Sequence, residues 1–222
     1  DIRAYVANTY KLAESTDADL KIFIGKSGKV WEMGVQATAR PLSLRDYRVE
    51  NIKGGLNPTI AYAMNALCDV SHAKNYLNIF SGSGTLMIEA GLLNPELLLA
   101  GFDNNGTSIA MSVKNIKKAG LIRRVTLRNA DIFSRPALGT FDVIASDLPF
   151  GMSVSKGDDL PSLYRAFASY AKAALNPAGT LVAYTSEHET LETVLTESGF
   201  RIEKSLLLTA PTSVNSYLDT RI

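Results

Sequence analysis

From Tyr76 onward, short apolar runs alternate with segments whose apolar residues recur at helical spacing. The apolar runs predict strands at residues 77–80, 97–102, 124–127, 141–145, 180–184 and 201–208, with a last strand at 214–218. Helices are predicted between them, at 85–92, 107–119, 161–175 and 189–197. Strands that are apolar throughout and alternate with helices indicate a mostly parallel α/β sheet with helices on both faces.

The first fifty residues have a different pattern. Two β-prone runs at 21–24 and 30–33 flank a turn at 25–28, which predicts a β-hairpin. Residues 41–58 are rich in Pro and Gly and predict a loop, and a helix is expected over 59–70. We therefore divide the chain into a hairpin and linker appendage, 1–50, and an α/β domain, 51–222.

Composition narrows the possibilities further. The 222 residues are 46% apolar and carry a net charge of +1, which is typical of a globular protein. With one cysteine and two histidines, we expect no metal site and a reducing compartment, the cytoplasm. No apolar run approaches the ~20 residues of a membrane span, so no membrane partner is expected.

Six basic residues and no acid lie between Asn104 and Ala130. This cluster predicts either a solvated helix face or a contact with a polyanion.

The first predicted strand of the α/β domain runs into a glycine loop, Ser81-Gly82-Ser83-Gly84-Thr85, followed by a helix. A dinucleotide fingerprint would need Gly or Ala at position 87, where Met87 stands. Asp103 lies 19 residues after Gly84 at the end of the next strand, where an acid binds ribose hydroxyls. A ligand with a ribose but no pyrophosphate fits both facts, and S-adenosylmethionine (SAM) is such a ligand.

Two further acids, Asp131 and Asp147, follow later strands. Since the carboxyl ends of parallel strands meet at one edge of a sheet, these acids and Asp103 are expected along the same edge. The alternative for each is a helix cap or turn former, which Asp favours.

Five motifs occur in an order that resembles a known family: Ser81-Gly82-Ser83-Gly84-Thr85, Gly101-Phe102-Asp103, Asn115…Ala119-Gly120, Asn129-Ala130-Asp131 and Asp147-Leu148-Pro149-Phe150-Gly151. They resemble the class I SAM-dependent methyltransferases that act on exocyclic amines of nucleobases. Within that class, the sequence is most similar to the THUMP-linked RNA methyltransferases, which make N2-methylguanosine in tRNA or rRNA. Upstream, Leu42–Arg48 and Leu56-Asn57-Pro58-Thr59 resemble the segment that joins that family's RNA-binding module to its catalytic domain.

The resemblance implies a Rossmann-like sheet, SAM as cofactor, an RNA substrate and an RNA-binding module outside these 222 residues. It implies a cofactor site formed by Thr59, Asn78, Ser81, Gly82, Gly84, Asp103, Asn104, Asp131 and Ile132. The family usually has Asp-Pro-Phe-Cys before the glycine loop. Here Asn78-Ile79-Phe80-Ser81 stands instead, so the first position carries no charge.

The catalytic residues are expected at Asp147, Leu148, Pro149 and Phe150. The Asp147 carboxylate and the Leu148 carbonyl could accept the two N–H bonds of an aromatic amine and stabilise positive charge as the nitrogen is methylated. Pro149 stiffens the turn. Phe150 could stack on a base taken out of its duplex.

Other functions remain open at this point. The same acceptor geometry would serve an adenine-N6 or cytosine-N4 methyltransferase on DNA or RNA. A second alternative is a SAM- and RNA-binding module without catalysis, which the neutral Asn78 favours and the complete Asp147–Phe150 motif disfavours.

Overall fold

The computed structural model describes residues 2–13, 18, 20–38, 40–52, 54–149, 159–209 and 217–221. The chain forms two compact units, residues 1–42 and 43–222. Among the described residues, no helix has both the length and the apolar character needed to cross a bilayer. The same part of the chain contains no group of three His, Cys, Asp or Glu side chains placed to hold a metal ion.

The first unit contains helix α1 (Ile2–Tyr10) and an antiparallel hairpin of β1 (Lys21–Ser27) and β2 (Val30–Gln36). The predicted hairpin is confirmed, but its turn is at Gly28 and Lys29 rather than at 25–28. Gly25 pairs with Glu32 inside the ladder, and Gly28 adopts a φ of 58° that L side chains rarely take.

The second unit is built on a seven-stranded sheet, which confirms the predicted mostly parallel α/β fold. The strands are β3 (Asn75–Ile79), β4 (Leu98–Asp103), β5 (Val125–Asn129), β6 (Phe141–Asp147), β7 (Leu175–Thr185), β8 (Ser205–Thr209) and β9 (Tyr217–Arg221). Their order is β5-β4-β3-β6-β7-β9-β8, with β9 antiparallel to both of its neighbours and the first five strands parallel. Strand order therefore reverses between β3 and β6, which is where ligands bind in open α/β sheets.

In the described part of this unit, five helices cover the sheet: α2 (Pro58–Leu67), α3 (Thr85–Leu93), α4 (Gly106–Lys118), α5 (Leu160–Ala174) and α6 (His188–Glu197). Local sequence sets their starts. Asn57 caps α2 by accepting a hydrogen bond from the Thr59 amide, and Asn105 caps α4 in the same way at Thr107 and Ser108. Gly120, with a φ of 76°, follows the C-terminal end of α4.

The sheet separates two apolar cores, because successive strand residues point to opposite faces. Val143 and Ala145 of β6 belong to the core that also contains Met64 of α2 and Met87 of α3. Ile144, between them in sequence, belongs to the core formed with α5 and α6.

Strand β7 begins earlier than the apolar pattern predicts. Residues 176–179 have the composition of a helix-ending turn, but α5 ends at Ala174 and the strand pairing begins at Leu175. The register shifts between Phe141 and Val143 of the partner strand, and Ala178 has a φ of 62°. The turn is thus accommodated as an irregularity within β7.

Candidate active site

A cleft of about 440 Å³ lies at the carboxyl ends of β3, β4 and β6. Four segments line it: the loop before α2, the glycine loop after β3, the end of β4 and the end of β6. The lining residues are Ile52, Gly54, Gly55, Leu56, Asn78, Phe80, Ser81, Gly82, Ser83, Thr85, Leu86, Asp103, Asn104, Asn105, Ser108, Asp147, Leu148 and Pro149. The volume lies within the ~300–1,000 Å³ of small-molecule sites.

The glycine loop is held against the end of β4 by backbone hydrogen bonds. The Ser81 amide donates to the Phe102 carbonyl at 3.0 Å, and the Gly82 amide donates to Asp103 Oδ2 at 2.9 Å. Gly82 has a φ of 52°. A Cβ there would meet only the tip of Ile52 at 4.0 Å, so this glycine serves the backbone turn.

Asp103 is oriented by both of its oxygens. Oδ1 accepts from the Asn105 amide at 2.9 Å, while Oδ2 accepts from Gly82. A carboxylate oxygen has more than one lone pair, so each oxygen can still accept a hydroxyl hydrogen from a ligand. The carboxylate is therefore held in one orientation with acceptor capacity left for a ligand in the cleft.

Two buried oxygens in the cleft wall, Asn78 Oδ1 and Ser81 Oγ, have no hydrogen-bond partner among the residues that the structure describes. The Asn78 amide group cannot be turned around, because its Nδ2 donates to the carbonyls of Ile79 and Ala145, both at 3.2 Å. Oδ1 is thereby left as an acceptor in the cleft wall. An unpaired buried oxygen costs ~1–3 kcal/mol, so a ligand that donates to it gains that energy.

These groups fit the parts of SAM. The Asn78 oxygen can accept from an ammonium, the Ser81 hydroxyl can donate to a carboxylate, and Asp103 can bind ribose hydroxyls. The neutral Asn78 can offer a hydrogen-bond acceptor at this point but no negative charge.

Asp147, the last residue of β6, has a half-buried side chain at the cleft. Burial raises the pKa of its carboxyl group to about 7, because the charged form loses hydration. The next residue, Leu148, is anchored by its amide, which donates to the Tyr184 carbonyl at 2.9 Å. A carboxyl group that titrates near neutral pH at the edge of a cleft is typical of a functional site.

Eight of the predicted residues line the cleft, and four others are not among its lining residues. Asn78, Ser81, Gly82, Asp103, Asn104, Asp147, Leu148 and Pro149 all line the cleft. Thr59 is the first-turn residue capped by Asn57, and Asp131 caps a short 3-10 turn by accepting from the Phe133 amide at 2.8 Å. Ile132 is buried in the core beside α5, and Gly84 packs against Ser112 of α4.

Phe150, the predicted stacking residue, and Gly151 lie outside the described residues.

Sequence reasoning missed one wall of the cleft, the loop of Ile52, Gly54, Gly55 and Leu56. Its sequence signals were the Gly-Gly pair, which predicted a loop, and the Leu56-Asn57-Pro58-Thr59 motif, which was interpreted as a joining segment and not as part of the cleft. It also missed Phe80, which lines the cleft at a φ of 54°, a strained conformation for a bulky residue.

The sheet order, the glycine loop and the acids at the strand ends define a class I methyltransferase, whose methyl donor is SAM. The chain belongs to the UPF0020 family, described as RMKL-like, methyltransferase domain, whose family model matches residues 45–212. This family membership confirms the resemblance found in the motifs.

Named relatives share much of the domain. A U6 snRNA (guanine-N(2))-methyltransferase THUMPD2 of Bos taurus is 29% identical over 177 residues, covering 79% of this chain and 34% of that protein. A tRNA (guanine(6)-N2)-methyltransferase of Thermus thermophilus is 29% identical over 168 residues, covering 75% of this chain and 50% of that protein. The chain thus spans between a third and a half of the length of these two relatives.

A solved structure, TrmN from Thermus thermophilus, has the same fold. It superposes with a TM-score of 0.79 at 24% identity and covers 99% of this chain and 64% of that one.

Proposed function

We propose that this chain is the catalytic domain of an RNA methyltransferase that methylates the exocyclic N2 amine of guanosine in tRNA or rRNA. The observation that carries the proposal is the Asp147 carboxyl group at the tip of β6, in the same cleft as the glycine loop. The choice of base is supported by the bovine and Thermus relatives, which are both named guanine-N2 methyltransferases.

An aromatic amine is a poor nucleophile because its lone pair is delocalised into the ring. Acceptors for both of its hydrogens draw the nitrogen toward a tetrahedral shape and direct the lone pair out of the ring plane. In this proposal the Asp147 carboxylate accepts one N–H and the Leu148 carbonyl accepts the other.

When bound, SAM supplies a methyl group on a positively charged sulfur. Formation of the nitrogen–carbon bond with loss of the sulfur–carbon bond would leave the positive charge on the amine, where the Asp147 carboxylate would stabilise it. The amine then loses a proton, which Asp147 accepts and passes to solvent. A carboxyl pKa of about 7 suits this exchange at neutral pH.

The target base must leave its stack to reach the cleft, as in other enzymes that modify bases. Stacking on Phe150 remains part of the proposal, and such contacts contribute ~1–3 kcal/mol per base.

For the whole protein we also propose an RNA-binding module like that of the THUMP-linked family, since the domain spans only 34% of the bovine relative. The cytoplasm is the proposed compartment, because the sequence has one cysteine and that residue is buried and unpaired.

The test is methyl transfer from labelled SAM to tRNA and rRNA prepared without the modification, followed by nucleoside analysis. We expect labelled N2-methylguanosine from the wild-type protein and none from Asp147→Ala. The matched control is Asp142→Asn, an aspartate of the same strand at its other end, where it accepts from the Lys74 and Asn75 amides. This variant should retain transfer.

If the label appeared in N6-methyladenosine or N4-methylcytidine, the target base would be adenine or cytosine instead of guanine. SAM binding without transfer to any RNA by the full-length protein would favour the non-catalytic alternative. Equal transfer by Asp147→Ala would overturn the mechanism whichever base is labelled.

A further inference from the structure

Two buried hydroxyl groups form a hydrogen-bond chain that ends on the turn after β6, residues 147–149. Tyr164 Oη lies 3.1 Å from the Pro149 carbonyl oxygen and 2.7 Å from Thr185 Oγ1. Thr185 Oγ1 in turn accepts from the Glu187 amide at 3.0 Å. Tyr164 belongs to α5 and Thr185 ends β7, so the chain joins two elements to the turn after β6.

The direction of these hydrogen bonds is fixed by what each group can do. A carbonyl oxygen only accepts, so Tyr164 must donate its one hydroxyl hydrogen to Pro149. Tyr164 Oη can then only accept from Thr185, whose own hydrogen is thereby used. Thr185 Oγ1 keeps lone pairs to accept from the Glu187 amide. The acceptor of both hydroxyl hydrogens is therefore determined.

Both hydroxyl-bearing residues are shielded from water. Tyr164 is fully buried and Thr185 is 1% exposed. Burial is the largest cause that raises the pKa of Tyr164 to about 12, so the phenol keeps its hydrogen at neutral pH. Since water has little access, the hydrogen bond to Pro149 has few competitors.

This hydrogen-bond chain limits which main-chain carbonyl can accept a hydrogen bond from the substrate. The Leu148 amide is bound to the Tyr184 carbonyl, and the Pro149 carbonyl is bound to Tyr164. These two hydrogen bonds hold the peptide group before Leu148 and the peptide group after Pro149. The proline ring fixes the φ of Pro149 between them. The Leu148 carbonyl, which lies between these two hydrogen bonds, is used by neither of them.

We propose that Tyr164 and Thr185 are positioning residues of the methyl transfer, holding the turn so that the Leu148 carbonyl and the Asp147 carboxylate face one amine together. This inference rests on the proposed function and deepens it. Neither residue contacts the substrate in this account. Their effect is on the orientation of the acceptors, where small misplacements of reacting groups cost up to ~100-fold in rate.

The central test is Tyr164→Phe in the full-length protein, which removes one oxygen and keeps the ring. We expect kcat for methyl transfer to fall about ten- to a hundredfold, while the Kd for SAM and the KM for RNA change less than about twofold. Thr185→Val should lower kcat in the same direction. The double variant should be little worse than Tyr164→Phe alone, because both act through one hydrogen-bond chain.

Tyr170→Phe is the matched control. Tyr170 lies on the same helix, and its hydroxyl donates to another proline carbonyl, that of Pro136, at 2.7 Å. The control loses the same atom and the same kind of bond away from the cleft lining, so its kcat should equal that of the wild type. Equal kcat losses in Tyr164→Phe and Tyr170→Phe, or none in either, would overturn the proposal.

Hydrogen–deuterium exchange separates a failure of this inference from a failure of the proposed function. Peptides that contain the Leu148 amide should exchange faster in Tyr164→Phe than in Tyr170→Phe, whether or not an RNA substrate is known. If the wild-type protein transfers no methyl group, the proposed function fails, and the exchange result still decides whether Tyr164 holds the turn. Unchanged exchange in Tyr164→Phe would refute the anchoring role.

Discussion

At the scale of single residues, ionisation of the buried Asp147 carboxyl group lowers the stability of the fold. Its pKa is raised to about 7 from an ordinary 3.8 by burial alone. Since the folded-state pKa is the higher one, ionisation destabilises the fold. This penalty is absent below the ordinary pKa, grows as pH rises toward 7 and is fully present above it. A fold with no use for a carboxylate here would be more stable with a neutral side chain, which favours a functional role.

The raised pKa predicts a pH-dependent activity. Only the ionised carboxylate leaves both oxygens free to accept from the amine, so kcat/KM should rise about tenfold per pH unit below pH ~7 and level off above it. The measurement is kcat/KM between about pH 5.5 and 8.5 at constant ionic strength. A profile without an inflection in this range would show that Asp147 does not act as an ionised acceptor.

Asp147→Asn provides the control for this profile. The amide keeps one acceptor oxygen but does not titrate, so the variant should retain reduced activity, about ten- to a hundredfold below the wild-type plateau, with no inflection near pH 7. An inflection that persists in Asp147→Asn would have to come from another group.

At the scale of elements, Gly84 sets how closely α3 approaches α4. It lies at the N-cap of α3 with a φ of 80°, and a Cβ added there would fall well inside contact distance of Ser112 Oγ. Gly84, which the motif predicted as a cofactor residue, thus has a packing role that its position in the motif did not reveal.

Gly84→Ala should destabilise the protein by more than the backbone conformation alone explains. Gly120 has nearly the same φ, 76°, but open space around it, so Gly120→Ala measures the conformational cost of about 1–2 kcal/mol. The clash with Ser112 should add about 1–3 kcal/mol in Gly84→Ala. The free energies of urea-induced unfolding of the two variants give the comparison. Ser112→Ala in the Gly84→Ala background should remove most of the difference, and no rescue would contradict this packing account.

The elements were predictable where local pattern and tertiary packing agree. The parallel strands could be read from the sequence because both of their faces are buried, as Val143 and Ile144 show by pointing into opposite cores. Asp103 could be placed in the cleft because it ends the parallel strand beside β3, whereas Asn78 was placed by the family motif that precedes the glycine loop. The early start of β7 could not be predicted, since pairing of Leu175 with Phe141 overrides the turn composition that follows.

At the scale of the whole second unit, side chains distant in sequence hold the loop of Ile52, Gly54, Gly55 and Leu56 that forms one wall of the cleft. The segment leading to it is bound by Glu89 of α3, which accepts from Arg45 Nε at 2.8 Å and Tyr47 Oη at 2.6 Å. It is bound again by Asn115 of α4, whose Oδ1 accepts from the Glu50 amide at 2.9 Å. These partners lie 42 to 65 residues away in sequence, so the local pattern predicted a loop but could not place it against the cleft.

The same long-range packing accounts for part of the basic cluster between Asn104 and Ala130. Lys114 pairs with Glu50 at 2.6 Å, and Arg124 donates to the carbonyls of Gly91, Asn94 and Leu97. Both side chains therefore have structural partners, which leaves the other four basic residues of the cluster for the polyanion interpretation.

Asn115 links the wall segment to the glycine loop, since its Nδ2 donates to the carbonyls of Glu50 and Ser83, both at 3.0 Å. Asn115→Ala should therefore loosen two walls of the cleft at once. We expect the Kd for SAM to rise about tenfold, a change of about 1.4 kcal/mol. The free energy of unfolding should fall by about 1–3 kcal/mol, since buried backbone groups lose their partner. Titration calorimetry and urea unfolding measure the two effects.

Asn94→Ala distinguishes a cofactor effect from general loss of stability. Asn94 is also buried, and its Nδ2 donates to the carbonyls of Val70, Ser71 and Ala73, but it lies before β4, at the sheet edge opposite the cleft. Its removal should cost similar stability and leave the Kd for SAM unchanged. If both variants weaken SAM binding equally, the cleft responds to overall stability, and the specific link through Asn115 is wrong. If only Asn115→Ala does so, cofactor affinity depends on a side chain that does not line the cleft, because it holds two of the segments that do.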